Sequence, residues 1–197
     1  VAIAPVVNRR EFLKKSAAGG TALVIGFYLP GKFEALAAAG PPAEPVALNA
    51  WVRIAPDDSV TILIDKSEMG QGVVTSLAML LAEELEFDWK KVKTEFAPAA
   101  PPYFNPIFGL QGTGGSTSIR ASWEPLTKAG AAARAMLIAA AAQQWYVEPS
   151  ACHVENGAVV HTATNKRLGY GALVEQAAKL PVPANPARKN PKDYKYL

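Results

Sequence analysis

Cysteine is nearly absent: Cys152 stands alone among 197 residues. No internal disulfide can form, and no cysteine-ligated zinc or iron–sulfur site can be built from this chain alone. Cys152 reads as a small residue at the start of a strand. Histidine is almost as scarce. His153 and His161 have no carboxylate or cysteine neighbour at ligand spacing, and lone histidines of this kind are mostly structural. No direct metal ligand is therefore assigned. No Ser-His-Asp or Cys-His arrangement can be assembled either. Basic residues are not clustered. Residues 1–39 carry +3 and residues 181–197 carry +3, so the body between them is −3. An acidic body with basic ends is not the footprint of a nucleic-acid binder. Half of the chain is hydrophobic, which excludes a disordered or collagen-like polymer and provides for a core.

No apolar run is long enough to span a bilayer comfortably, which takes about 20 residues. The longest one, Ala17 to Leu29, follows Asn8-Arg9-Arg10-Glu11-Phe12-Leu13-Lys14-Lys15 and precedes Leu36-Ala37-Ala38-Ala39. Charged, then apolar, then small residues is the order of an export signal. The arginine pair before Phe-Leu-Lys resembles a twin-arginine signal, with Asn8 where Ser or Thr is more usual. Residues 1–39 are accordingly expected to direct export to the periplasm, with membrane association if the signal is retained. Twin-arginine cargo crosses folded, typically with a cofactor already bound.

Residues 40–48 form a Pro-rich linker. Val52, Ile54 and Ala55 lead into Pro56-Asp57-Asp58-Ser59, and Val60, Ile62 and Ile64 alternate beyond it, which predicts a hairpin. From Val73 to Glu86 the spacing becomes helical: Val73, Leu77, Leu80, Leu81 and Leu85 share a face. Glu83, Glu84 and Glu86 fall off it and read as a solvated surface. Val92 to Phe96 is a short strand. Ala97 to Gln111, with four prolines, is a long loop of the functional or partner-covered kind. Ser116 to Trp145 is a long Ala-rich helix, with a kink expected at Pro125. A second hairpin turns at Asn156-Gly157, and Gly169 to Lys179 is the last helix. The order predicts an α+β fold, a mixed sheet of hairpins with helices packed on one side, over residues 49–180. Residues 181–197 read as a linker toward a further module.

Two stretches stand out for chemistry. Glu68-Met69-Gly70-Gln71-Gly72 joins a strand to a helix, and its glycines permit positive φ and close approach of a ligand to backbone. Gln71 adds an amide that donates and accepts. Gly112-Thr113-Gly114-Gly115-Ser116-Thr117-Ser118 places amides and hydroxyls ahead of the long helix, where an anion can be held. No Gly-Lys-Ser/Thr follows it, so it is not a phosphate-binding loop of the nucleotide-hydrolase kind, and its glycine spacing is not a dinucleotide fingerprint. The plain alternatives are a strand-to-helix turn for the first stretch and, for the second, an N-cap made by Ser116 or Ser118. Arg120 is near enough to the second stretch to meet an anion, and a surface ion pair explains it equally well.

From Trp51 to Trp145 these two stretches and their helices resemble the molybdenum hydroxylases, the xanthine dehydrogenase and aldehyde oxidoreductase family. The resemblance implies part of a molybdopterin-binding domain. It assigns Met69, Gly70, Gln71 and Gly72 to the pterin and metal end of the cofactor. Gly114, Gly115, Ser116, Thr117 and Ser118 fall at its pterin and phosphate end. A module of this kind behind an export signal looks like the large subunit of isoquinoline 1-oxidoreductase-type enzymes. That implies molybdenum on a molybdopterin cytosine dinucleotide and a small partner subunit with [2Fe–2S] clusters. It also implies, in some members, a c-type cytochrome subunit. The implied reaction is oxidation of an N-heterocycle or aldehyde with water-derived oxygen. The family's catalytic glutamate lies in a Gly-Glu motif far along a longer chain and matches nothing here. The chain is therefore expected to be a portion of a subunit, or one half of a split one, inactive by itself. Two readings of other classes stand beside this one. One is an exported binding or assembly module that keeps the fold without the metal. The other is a signal-anchored scaffold that docks redox partners through Pro98 to Phe108.

Overall fold

The structure, a computed structural model, describes residues 23–26 and 50–195. The signal expected over 1–39 and the linker over 40–48 lie outside the described residues, apart from Leu23–Gly26. That segment is a strand, β1, paired antiparallel with β2 (Ala50–Ile54).

β2 and β3 (Val60–Ile64) form the expected hairpin around Pro56–Ser59. Asp57 accepts the Ser59 amide at 2.9 Å, and Asp58 takes a positive φ of 62° to close the turn. Alternation places Val60, Ile62 and Ile64 inward. The chain then crosses through α1 (Val73–Leu85) and returns as β4 (Val92–Phe96), parallel to β3. The first sheet is thus mixed, in the order β1-β2-β3-β4. α2 (Ser118–Trp145) runs through Pro125 and lies along α1. The second hairpin, β5 (Cys152–Glu155) and β6 (Ala158–His161), turns on Asn156 and Gly157 at φ 49° and 79°. Two positive φ values in a two-residue loop match the twist of the strands. A short β7 (Arg167–Gly169) joins β6, and α3 (Tyr170–Ala177) follows.

The α+β class holds. The expected single sheet is instead two, because β5-β6-β7 pairs only within itself. β1 and β7 were not legible: one lies inside the expected signal, and the other is only three residues long.

The core lies between the first sheet and the helix pair. Val73, Leu77, Leu81 and Leu85 are buried as the periodicity required, and Leu80 is only half-buried. α2 contributes small residues, among them Ala129, Ala132, Ala133 and Ala140, which let the helix backbones approach. At Gly130 the approach is closest. A Cβ there would lie 2.6 Å from the Leu81 carbonyl and 2.8 Å from the Glu84 Cβ. The two halves are tied by Asp58, which accepts the Gly171 amide at 2.6 Å, and by the Tyr170 hydroxyl, which donates to the Leu85 carbonyl at 2.7 Å.

The glutamates at the end of α1 correct an expectation. Glu83 and Glu84 are buried, not solvated. Their partners arrive from the chain beyond Pro181. The Lys189 amide donates to Glu84 at 3.0 Å and its ammonium to Glu83 at 3.0 Å. The Tyr194 hydroxyl donates to Glu84 at 2.8 Å. Arg134 on α2 approaches the same Glu84 carboxylate at 3.4 Å and donates to the Ala187 carbonyl at 2.8 Å. Residues 187–195, read as linker, are thus bonded to both helices.

Candidate functional site at two glycine-rich loops

Loop 1, residues 67–72, leaves the end of β3 and enters α1. Loop 2, residues 112–117, enters α2. Although distant in sequence, they meet at their roots. The Ser67 amide donates to Thr113 Oγ1 at 2.8 Å, and Gln111 Nε2 lies 3.5 Å from the Asp65 carbonyl. The parallel return of β4 beside β3 carries the chain to the same end of the sheet, which makes this convergence possible.

Loop 1 is closed on itself. Gly70 and Gly72 sit at φ 92° and 79°, conformations that only glycine adopts readily. Gln71 accepts the Met69 amide at 2.6 Å and donates to the Ser67 carbonyl at 2.9 Å. Glu68 accepts the amides of Gly70 at 2.8 Å, Gly72 at 2.9 Å and Val74 at 3.0 Å. These bonds favour the carboxylate and hold Glu68 below the usual range, the Val74 and Gly72 amides contributing most. The amides at the start of α1, where a helix N-terminus would hold an anion, are therefore already facing one, supplied by the chain. Met69 is exposed at the loop tip.

Loop 2 divides its polar groups. Thr117 is buried; its hydroxyl donates to the Gly114 carbonyl at 2.8 Å and accepts from Asn105 Nδ2 at 2.7 Å. It is a strut within the loop. Neither Ser116 nor Ser118 is the N-cap of α2, the plain alternative for this stretch. Thr117 holds that position and makes no side-chain capping bond. Gly114, Gly115 and Ser116 face outward, with Ser116 at φ 53°. A Cβ on Gly70, Gly72 or Gly114 would meet nothing within 4 Å, so the backbone of both loops is open to a ligand.

Beneath the loops lies a polar node that the sequence reading missed. Asp65 and Lys66 form a buried ion pair. Burial pushes the Asp65 carboxyl above its usual range, against the opposing pull of Lys66. Asp65 Oδ1, Gln111 Oε1 and Ser122 Oγ are buried without a hydrogen-bond partner among the described residues. Unmet polar atoms of this kind are what ordered water or a bound ligand satisfies. Asn105 was also missed. It is fully buried, and besides bracing Thr117 it accepts the Ile107 amide at 3.0 Å. An adjacent Asp-Lys pair closing an alternating strand was the available signal for the node; Asn105 had none.

The rim is apolar. Phe104, Ile107, Phe108, Leu110 and Ile119 are exposed beside loop 2, with the Phe108 ring 3.6 Å from where a Gly115 Cβ would sit. Arg120 is exposed on the first turn of α2, and the histidines and Cys152 are structural. His153 and His161 meet the hydroxyls of Thr162 at 3.1 Å and Thr164 at 2.7 Å. Cys152 begins β5 as a buried thiol whose pKa burial raises. No group of three potential metal ligands occurs among the described residues. The open glycine backbone, the outward Gly114–Ser116 segment and the orphaned polar atoms fit a large polar cofactor, while the N-terminus of α1 is already neutralised by Glu68.

Comparison with known proteins identifies the family. The model of the molybdopterin cofactor-binding domain family matches residues 7–195. The chain is 33% identical over 170 residues to isoquinoline 1-oxidoreductase subunit beta of Brevundimonas diminuta, covering 85% of this chain and 22% of that protein. It is 35% identical over 150 residues to a membrane-bound aldehyde dehydrogenase (pyrroloquinoline-quinone) of Gluconacetobacter polyoxogenes, covering 70% and 18%. The fold is similar to that of quinoline 2-oxidoreductase from Pseudomonas putida 86, at a TM-score of 0.50 and 18% identity, covering 94% of this chain and 25% of that one. The chain thus spans about a fifth of the length of the curated relatives it matches. With glycine-rich loops converging at the end of the sheet and a family match over nearly its whole length, the chain belongs to the molybdopterin cofactor-binding domain family of the molybdenum hydroxylases.

Proposed function

We propose that this chain supplies part of the cofactor cradle of a molybdenum-dependent oxidoreductase acting on an N-heterocycle or an aldehyde. The observation that carries the reading is the convergence of the two loops through the Ser67–Thr113 bond, within a chain matched by the cofactor-binding family. When bound, the molybdenum centre supplies hydroxylation of an electron-poor carbon with oxygen drawn from water. The chain's own residues hold and orient. Gln71 fixes the tip of loop 1, Gly70 and Gly72 give access to its backbone, and Gly114 to Ser116, with Ser118 at the first turn of α2, offer amides and hydroxyls to the phosphate end. Thr117 keeps loop 2 in shape from within.

The nucleotide form in this reading is the cytosine dinucleotide. The partners are the remaining molybdenum-binding module of a relative-length subunit, a small [2Fe–2S] subunit and a c-type cytochrome subunit. The exposed apolar rim around loop 2 supports a covering partner, because contiguous patches of this kind mark interaction surfaces. The signal-like order of residues 8–39 supports export to the periplasm by the twin-arginine route. One relative is named for a different cofactor, pyrroloquinoline-quinone. The family match over residues 7–195 favours the pterin.

The test is elemental mass spectrometry on the native complex, purified from its host through a tag after Leu197. Molybdenum and iron co-purifying with larger chains is the expected result. A folded complex with neither metal, or one carrying a quinone instead, overturns the proposal.

A further inference from the structure

Loop 1 has the form of an anion site, with outward-turned glycine amides at the start of a 13-residue helix. Its donors are nevertheless committed. Gly70, Gly72 and Val74 donate to Glu68, Met69 donates to Gln71, and Ser67 donates to Thr113. One carboxylate thus takes three amides from the turn and the first residues of α1, the place where a phosphate would otherwise sit. Its bonds to Gly70 and Gly72 also pin the two left-handed glycines between which Gln71 is displayed. Loop 2 has no such internal anion: α2 begins without a side-chain cap and without an acidic residue in its first turn. The two loops look alike in sequence and differ in sign.

We propose that Glu68 is a positioning residue that occupies the anion position of loop 1, so that loop 1 receives the uncharged, hydrogen-bonding end of the ligand and rejects its phosphates. This rests on the cofactor reading above for the identity of the ligand, and on geometry alone for the exclusion of anions. It fixes the direction in which an elongated anionic cofactor lies across the two loops. A phosphate brought to loop 1 would meet the Glu68 carboxylate, whereas a neutral edge would meet the glycine backbone and the Gln71 amide.

The experiment is an amide-resolved NMR titration of the full 197-residue chain with inorganic phosphate at neutral pH. In the native protein the Gly70, Gly72 and Val74 resonances are expected to stay still. In Glu68→Ala the emptied position admits phosphate, and the same three resonances shift saturably. The apparent affinity there should rise about two- to fivefold, in line with an anion at an exposed helix N-terminus. A folded Glu68→Ala protein whose loop 1 amides ignore phosphate overturns the proposal. So do native loop 1 amides that follow phosphate; this arm decides the matter even if the variant does not fold. The titration involves no molybdenum, so its failure leaves the metal analysis standing. Absence of molybdenum from the native complex would in turn leave Glu68 as the internal anion.

Discussion

Gln71 uses both ends of its amide on its own loop, accepting from Met69 and donating to Ser67. The loop is exposed, so losing these bonds costs little stability, about 1 kcal/mol or less. What Gln71→Ala removes is the fixed shape of the tip between Gly70 and Gly72. The expected outcome is a melting temperature lowered by no more than about 4 °C with a lower molybdenum content per complex, read by thermal unfolding and elemental analysis of the same sample. Full molybdenum occupancy in the variant would sink the assignment. Glu68 adds a dependence on pH. Its pKa is lowered in the folded chain from an ordinary 4.5 by the amides it accepts. The folded state therefore binds its proton less readily than the unfolded state does. Its contribution is present above pH 4.5 and is lost as pH falls through the lowered value. Loop 1 should loosen in that window before the core does. Protection from amide exchange at Gly70, Gly72 and Val74, measured against the intrinsic rate at each pH, should fall there in the native protein and stay unchanged in Glu68→Ala.

At the scale of elements, the α1–α2 contact depends on a missing side chain. Gly130 faces the Leu81 carbonyl and the Glu84 Cβ closer than any Cβ tolerates, and the flanking alanines keep the rest of the seam thin. Gly130→Ala gains helix propensity, about 1 kcal/mol in an open helix. Here it must push the helices apart, which as overpacking costs about 1–3 kcal/mol. A net loss of stability on chemical denaturation is expected, larger for Gly130→Val, whereas a stabilised Gly130→Ala would mean that the helices are not so close. The same elements show what the sequence could disclose. β3 and α1 were legible because their apolar residues recur at periods of two and 3.6, and the hairpins because Asn156-Gly157 and Pro56–Ser59 are local turn chemistry. The two glycine loops were legible as loops for the same reason. Their inner bracing was not. Asp65 and Lys66 become a buried pair, and Asn105 a strut for Thr117, only when separate segments meet. Glu83 and Glu84 looked solvated because a carboxylate's burial depends on partners more than a hundred residues away.

The molecule as a whole is closed by those glutamates. Glu84, fully buried, faces Arg134 from α2 and takes the Lys189 amide and the Tyr194 hydroxyl from the tail. Glu83 holds the Lys189 ammonium and the Lys195 amide at 2.6 Å. Burial first, then the bond to Glu84, raises the Tyr194 phenol to about 12, so it stays a donor throughout the physiological range. A buried carboxylate that joins three segments should couple them. Glu84→Ala takes the carboxylate from Arg134, which keeps its bonds to the Glu84 and Ala187 carbonyls, and from two tail donors, a loss of about 3 kcal/mol by the measure of broken buried pairs. Tyr194→Phe removes one hydrogen bond and should cost about 1–2 kcal/mol. Because the tail reaches α1 through side chains on two helices, both changes should also free it. Limited proteolysis is expected to cut between Pro181 and Lys195 faster in each variant, in the order Glu84→Ala, Tyr194→Phe, native protein. Equal cleavage in all three would mean that residues 187–195 leave the helices in solution and behave as the linker their composition suggested. Protection that falls in this order would make the tail part of the domain, so that a module joined beyond it would be held at the α1–α2 end of the fold.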